Sequence, residues 1–120
     1  AAVVASPLAR AQETAAAVAR AHGLAVDTEP GLAELDFGDW TGRRIDALHD
    51  EPAWAPFNTY RSGTRAPGGE LALEAQARAV AAALRLAERH PGGAVAAVSH
   101  ADVIKAVVGH ALGVPLDLQH

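Results

Sequence analysis

Residues 94–102, which read AVAAVSHAD, limit the fold more than any other stretch of the sequence. The apolar residues are small or β-branched and follow a Pro-Gly-Gly turn, a pattern typical of a buried strand in a parallel sheet. The strand pattern ends at Ser99 and His100, and a helical pattern follows. Ligands of open α/β sheets bind at the carboxyl ends of parallel strands, so His100 is the first candidate functional residue. Alternatively, a lone histidine here only satisfies a loop carbonyl.

The composition describes one domain of 120 residues, long enough to bury roughly two-thirds of its unfolded surface. The absence of cysteine excludes disulfides and thiolate metal sites, and we expect a cytoplasmic protein. The net charge of -4, with no basic stripe, argues against a nucleic-acid partner. No apolar run approaches the ~20 residues of a membrane span, so no membrane partner is expected. The sequence contains no methionine and begins inside a predicted strand, so we treat it as a fragment.

Strands and helices alternate through the first part of the sequence. Residues 1–5 are predicted to end a buried strand. Ser6 is then predicted as the N-cap of a helix, with Pro7 at the first helical position, where its missing N–H is tolerated. This helix should end near His22. Residues 24–28 alternate apolar and polar side chains, which predicts a second, short strand.

The same alternation continues after an irregular middle. Residues 43–50 are predicted to form one or two helical turns, residues 51–70 an irregular loop, and residues 71–90 the longest helix. With strand 94–98 and a final helix, this order predicts an α/β three-layer sandwich with a mostly parallel sheet and helices on both faces. The residues predicted to face inward are Ile45 and Leu48 in the middle segment, Leu73, Ala77, Val80, Leu84 and Ala87 on the longest helix, and Ile104, Val107, Val108, Ala111 and Leu112 on the last helix.

Arg10 is unusual because it lies in the first turn of a predicted helix. A cation there meets the positive end of the helix dipole, which is unfavourable. An anionic ligand would reverse the sign, because exposed amides and a guanidinium together bind phosphate or carboxylate groups. The alternative is an arginine that reaches solvent or a nearby glutamate.

Residues 32–42 mix large apolar residues, carboxylates and glycines without a regular period, which predicts a structured loop. Glu34 stands between two leucines, a partly apolar place that suits a general acid. The alternative is a solvated loop charge. Arg61 and Arg65 lie in the irregular loop 51–70, where they are expected to meet a charged substrate or to be simply exposed.

Other chemistries at His100 are disfavoured. Residues 97–101 have the small-x-Ser-x-small form of a hydrolase nucleophile elbow, which would make Ser99 a nucleophile. Such a triad needs a later acid and a later histidine, and too little chain follows to bring them back to the site. His100, Asp102 and His110 do not have the spacing of a known metal site, so no metal and no cofactor are expected.

Several motifs together resemble one family. They are SPLARAQETA at residues 6–15, LAELDFGDWTG at 32–42, PGGE at 67–70 and VSHAD at 98–102. In order and spacing they resemble the histidine phosphatase superfamily, the phosphoglycerate-mutase-like group. The resemblance covers almost the whole chain, and this ordered set is more specific than any single motif.

This resemblance implies a role for each matching residue. Arg10 corresponds to the arginine that binds the transferred phosphoryl group, and His100 to the histidine that contacts its oxygens. Glu34 corresponds to the proton donor to the leaving oxygen. We add Ser6 and the main chain of Ala101 to the substrate-binding residues. Physical chemistry agrees with these roles, because phosphoryl transfer depends on positioning and on charge stabilisation.

The sequence departs from the family pattern at the nucleophile. The family uses a histidine in an Arg-His-Gly motif at the end of the first strand, and this motif does not occur in the sequence. His22 and His90 have partly similar neighbours but follow predicted helices. We therefore expect that about 40 to 50 residues, a first strand and helix, are missing before Ala1. Ala101 stands where many members have glycine, and we expect that the C-terminus is also cut.

The sequence-based hypothesis is a partial histidine phosphatase domain over residues 1–120. Its parent protein is expected to act on a small phosphate monoester through a phosphohistidine, with phosphatase preferred to mutase by analogy. The fragment alone is expected to be inactive. A homodimer is a possible assembly that the sequence does not decide. The alternative is a non-catalytic anion-binding or interaction domain of the same fold.

Overall fold

A computed structural model of the chain describes residues 1–119. The strands are β1 (Ala2–Ala5), β2 (Val26–Thr28) and β3 (Val95–Val98), and the helices are α1 (Ala9–Ala21), α2 (Ile45–Leu48), α3 (Trp54–Thr59), α4 (Ala72–Arg89) and α5 (Ala101–Leu112). Short 3-10 turns lie at Pro30–Leu32, Gly38–Trp40 and Leu116–Leu118. The predicted α/β order is confirmed.

The sheet is parallel and has the strand order β2-β1-β3. Val3 of the central strand lies opposite Val26 on one side and Ala96 on the other. Within residues 1–119, β3 pairs only with β1, and Ala96 and Ala97 are exposed. The parallel sheet is therefore confirmed, but the prediction that β3 is buried is wrong, because β3 lies at the edge.

Helices cover both faces of the sheet, as the predicted three-layer sandwich requires. On one face, Val3 and Ala5 pack with Ala15 and Ala19 of α1. On the other face, Val4 packs with a group that includes Leu32 and two residues of α4, Ala82 and Leu86. Alanine on both helices allows the helix backbones to lie close to the sheet.

The predicted inward faces of α4 and α5 are wrong. In α4 the buried residues are Ala72, Ala75, Ala79, Ala82 and Leu86, and in α5 they are Val103, Ala106 and Gly109. Leu73 and Leu84 are instead 49% and 61% exposed, and Ile104 and Val108 are about half exposed. The reason for the alanine face of α4 is close packing: a Cβ added at Gly31 would lie 2.9 Å from the Ala82 Cβ.

The middle segment is more ordered than the sequence predicted. Helix α3 lies within the expected irregular loop, and its Phe57 is buried against Trp40 with ring centroids 5.3 Å apart. In α2, Leu48 is buried as predicted, whereas Ile45 is 66% exposed and its predicted inward orientation is wrong. Among the described residues, no helix combines the length and the apolar character needed to cross a bilayer.

Candidate active site

The carboxyl ends of β1 and β3 lie side by side, which brings their following residues together. The Ser6 N–H donates to the Val98 carbonyl at 2.9 Å, directly after the last paired residues of the two strands. Helix α1 begins three residues after Ser6, and α5 begins immediately after His100. The amino termini of both helices therefore lie at one edge of the sheet, where their dipoles favour an anion.

Ser6 is fully buried and contacts His100. The Ser6 hydroxyl and the His100 Nε2 share a hydrogen bond of 2.8 Å, and the Leu8 N–H donates to the same hydroxyl at 3.3 Å. The prediction that Ser6 caps α1 is wrong: the N-cap residue is Leu8, and Pro7 lies before the helix. The hydroxyl is directed to the histidine ring and to a loop N–H, so the helix begins later.

The His100 side chain is buried, and charges of both signs act on it. The residue is 6% exposed. Burial lowers the pKa of the imidazole below its ordinary value, the Glu34 carboxylate raises the pKa, and the Arg10 and Arg78 guanidinium groups lower it. The net direction of the pKa shift is downward, which favours the neutral imidazole. The charges of Glu34 and Arg10 therefore both act on the His100 ring.

Arg10 lies in the exposed first turn of α1, where no acidic residue accompanies it. Within residues 1–119, Arg10 forms no salt bridge, whereas several other arginines do. Of the alternatives for Arg10, pairing with a nearby glutamate is not observed in the described chain, whereas the side chain is exposed to solvent, as the other alternative expects. The guanidinium remains available to an anion.

Ala101 is the first residue of α5 and is exposed. The first N–H groups of a helix have no partner within that helix. The main chain of Ala101 therefore lies at an anion-favouring helix end directly next to His100. An alanine Cβ does not remove this N–H group.

Glu34 lies in the loop between the 3-10 turns and is half-buried. Its Oε1 accepts a hydrogen bond from the Leu35 N–H at 2.9 Å. The Ser99 hydroxyl donates to the Leu32 carbonyl at 2.7 Å and so connects this loop to the end of β3. Ser99 thus contacts the loop backbone, which does not favour its alternative role as a nucleophile.

Arg61 and Arg65 have partners of their own. Arg61 donates to the Asp102 carboxylate at 3.0 Å and lies over the Phe57 ring, 4.8 Å from its centroid. Arg65 donates to the Glu74 carboxylate at 2.8 Å, near the beginning of α4. Arg61 therefore lies near the first turn of α5, because its partner Asp102 lies two residues after His100 in the sequence. Within residues 1–119, Arg65 forms no hydrogen bond or salt bridge with Arg10, Glu34 or His100.

Two residues of the site region were missed by the sequence analysis. Gln12 donates to the Ser6 carbonyl at 2.8 Å and to the Thr28 hydroxyl at 3.2 Å, which links the strand ends. Arg78 donates to the carbonyls of Gly31, Ala33 and Glu34 in the Glu34 loop. The only available signal was the spacing of Arg78, eight residues after Glu70 of the PGGE motif.

His22 and His90 lie away from this edge of the sheet. His22 and His90 directly follow the C-termini of α1 and α4, the helix ends that lead into the amino ends of β2 and β3. They therefore lie toward the opposite edge of the parallel sheet. Within the described part of the chain, no group of three or more His, Asp or Glu side chains is arranged to hold a metal ion.

Sequence comparison identifies the family that this fold and site define. The sequence profile of the histidine phosphatase superfamily (branch 1) matches residues 1–120. The chain therefore belongs to this superfamily, and the resemblance found in the motifs is confirmed.

Individual relatives include both mutase and phosphatase names. A protein of Enterobacter sp. (strain 638), "Probable phosphoglycerate mutase GpmB", is 35% identical over 94% of this chain and 54% of its own length. The structure of Bacillus stearothermophilus YhfR matches 99% of this chain and 60% of its own, with a TM-score of 0.89 and 28% identity. The structure of a mycobacterial glucosyl-3-phosphoglycerate phosphatase matches 98% of this chain and 61% of its own, with a TM-score of 0.85 and 26% identity. The chain thus spans about half to three-fifths of these relatives.

Proposed function

We propose that this chain is part of a phosphatase that hydrolyses a small phosphate monoester through a phosphohistidine. The observation that carries this proposal is the placement of the buried His100, hydrogen-bonded to Ser6, beside the first turn of α1 and its Arg10 at the carboxyl ends of adjacent parallel strands. The charges of Arg10 and Glu34 both act on the His100 ring. This is an arrangement that binds a phosphoryl group and has a carboxyl group beside it. The family membership supports phosphoryl transfer as the reaction class.

Each residue of the proposed site has a separate role in the reaction. The Arg10 guanidinium and the Ala101 N–H bind the phosphoryl oxygens, and His100 donates a further hydrogen bond to them. Ser6 contributes to substrate binding through its hydrogen bond to the His100 ring, which orients that ring. Glu34, as the protonated acid, gives its proton to the ester oxygen as the phosphorus–oxygen bond breaks.

The nucleophile in this proposal is a histidine supplied by a segment upstream of Ala1. Its ring nitrogen attacks phosphorus, the ester oxygen leaves with the proton of Glu34, and a phosphohistidine forms. Water then attacks the phosphorus, its proton passes to the Glu34 carboxylate, and inorganic phosphate leaves the restored histidine. The positions of His22 and His90 toward the opposite sheet edge support an external source for this group.

Phosphatase is preferred to mutase by analogy with the solved structures. The neighbours include a mycobacterial glucosyl-3-phosphoglycerate phosphatase and an alpha-ribazole phosphatase from Shigella flexneri. The GpmB relative keeps the mutase alternative open. In either case, Arg61 and Arg65 are proposed to meet a charged part of the substrate, and Arg61 is better placed because it reaches Asp102 at the start of α5. We place the reaction in the cytoplasm.

The test measures turnover and leaving-group dependence with the full-length protein. Alkyl and aryl phosphate esters are compared for the wild type and for Glu34→Gln, with the exposed Glu88→Gln as the matched control. The loss for Glu34→Gln should be about 100-fold or more for alkyl esters and much smaller for aryl esters, whose leaving groups need no proton. An equal loss for both ester types would exclude the acid role.

A trapping experiment separates the proposal from its alternative. Acid-labile, base-stable phosphate on the protein during turnover supports the phosphohistidine route. Tight binding of inorganic phosphate without turnover or trapped phosphate would instead identify a non-catalytic anion-binding domain.

A further inference from the structure

The Arg78 side chain uses every donor of its guanidinium group. Nη1 donates to the carbonyls of Gly31 at 2.8 Å and Ala33 at 2.7 Å, and Nη2 donates to the carbonyl of Glu34 at 3.0 Å. Nε and Nη2 also donate to the Glu70 carboxylate, at 3.2 and 2.6 Å. A guanidinium carries five N–H donors in a rigid planar fork, and here each has a partner.

Glu70 holds the same loop from its other side. Its Oε1 accepts from the Asp36 N–H at 2.9 Å, and the Glu70 N–H donates to the Asp36 carbonyl at 3.0 Å. Residues 31–36 are thus fixed between a side chain of α4 and the segment that precedes α4. The Arg78 and Glu70 side chains are 27% and 20% exposed, so this ion pair is partly shielded from water.

The position of the Glu34 carboxyl group follows from these backbone contacts. Arg78 contacts the main chain of Glu34 and not its carboxylate. The carboxylate accepts a hydrogen bond from the Leu35 N–H instead. Irregular loops lack the hydrogen-bond ladders that fix helices and strands, so the carbonyls here need side-chain donors. The positive charge of Arg78 also contributes to lowering the pKa of His100, which places Arg78 beside the site.

We propose that Arg78, oriented by Glu70, is a positioning residue that holds Glu34 at the leaving oxygen. This inference rests on the proposed function, in which Glu34 is the proton donor. Misplacing a catalytic group by about 1 Å can reduce the rate by about 100-fold. The Arg78 guanidinium group therefore affects the rate of protonation by fixing the position of Glu34, and it does not contact the substrate.

The kinetic test is Arg78→Lys in the full-length protein. Lysine keeps the charge but has three donors on a tetrahedral head and cannot reproduce the planar fork. We expect kcat to fall about 10- to 100-fold for alkyl phosphates and less than about 3-fold for aryl phosphates. In the Glu34→Gln background, Arg78→Lys should cost no further activity toward alkyl phosphates, because the group that it positions is already removed.

A matched variant on the same helix controls for general effects. Arg85 is also on α4, but within the described residues its guanidinium makes one hydrogen bond, to the Glu29 carboxylate at 3.1 Å. Arg85→Lys should leave the ratio of alkyl to aryl turnover unchanged. Equal losses on both ester types for Arg78→Lys, or a full loss that persists in the Glu34→Gln background, would overturn the positioning role.

A second measurement keeps this inference separate from the proposed function. If Glu34→Gln itself shows no leaving-group dependence, the acid role fails, and amide hydrogen exchange still reports the loop geometry. Arg78→Lys should increase the exchange rates of the Leu35 and Asp36 amides at least about 10-fold relative to the core amide of Ala82. Unchanged exchange at both amides would show that Arg78 does not hold the loop.

Discussion

Removing the Ser6 hydroxyl should destabilise the fold more than an ordinary serine substitution. Ser6 is fully buried, and its hydroxyl is 2.8 Å from Nε2 of His100, which is itself 6% exposed. In Ser6→Ala this ring nitrogen loses its partner in a place that water reaches poorly. A buried polar group without a partner costs about 1 to 3 kcal/mol, and we expect the free energy of unfolding to fall by that amount.

Urea unfolding at pH 7 measures this loss. With a slope of about 2 kcal/mol per molar urea, a loss of 1 to 3 kcal/mol lowers the midpoint by about 0.5 to 1.5 M. The control is Thr59→Ala, which removes an exposed hydroxyl that bonds the Ala55 carbonyl at 2.9 Å. Exposed sites of this kind usually change stability by less than about 0.5 kcal/mol. Equal midpoints for Ser6→Ala, Thr59→Ala and the wild type would refute the structural importance of the Ser6–His100 contact.

Three further predictions concern charge. Arg10→Ala should weaken orthovanadate binding about 10- to 100-fold in a calorimetric titration, whereas Arg20→Ala, exposed on the same helix, should not change it. The Gly31 N–H is the main cause of the lowered pKa of Glu29, so the stability that this carboxylate adds is complete above pH 4.5 and is lost as pH falls through its lower folded pKa. Glu29→Gln should therefore lose about 1 kcal/mol in urea unfolding at pH 7, and its difference from the wild type should shrink as pH falls below 4.5. Burial lowers the pKa of His100, so wild-type stability should decrease as pH falls below 6.5, and His100→Asn should lack this component of the pH profile.

The sequence predicted which strand ends lie side by side better than it predicted the packing of the helices. Arg10 and His100 each follow a strand by a few residues, and in a parallel sheet such positions meet at one edge whatever the details of the core. The first turn of a helix is also a place where a lone cation is conspicuous. Local sequence was therefore enough to bring these residues together.

The helix faces could not be predicted because alanine is ambiguous. On α4 the alanines lie on several faces, and the larger Leu73 and Leu84 suggested the wrong one. The buried face was decided by the close approach of Gly31 to Ala82, a contact between distant segments. Helix α3 was missed because it contains Pro56, which is tolerated in a first turn whose N–H groups need no helical partner.

The role of Arg78 could not be predicted for a related reason. Its partners are mainly carbonyl groups of an irregular loop, and the direction of such groups depends on the folded backbone. By periodicity alone, a charged residue on a long amphipathic helix is usually exposed. Only the folded loop shows that every Arg78 donor has a partner.

The central claim is that Arg10, Glu34 and His100 form one phosphate site, and an NMR titration of the His100 imidazole tests it most directly. Burial lowers the pKa of His100. In the full-length protein, saturating inorganic phosphate should raise this pKa, because the bound anion stabilises the imidazolium form. Arg10→Ala should abolish the response at the same phosphate concentration. Phosphate binding that leaves the His100 titration unchanged would contradict the account.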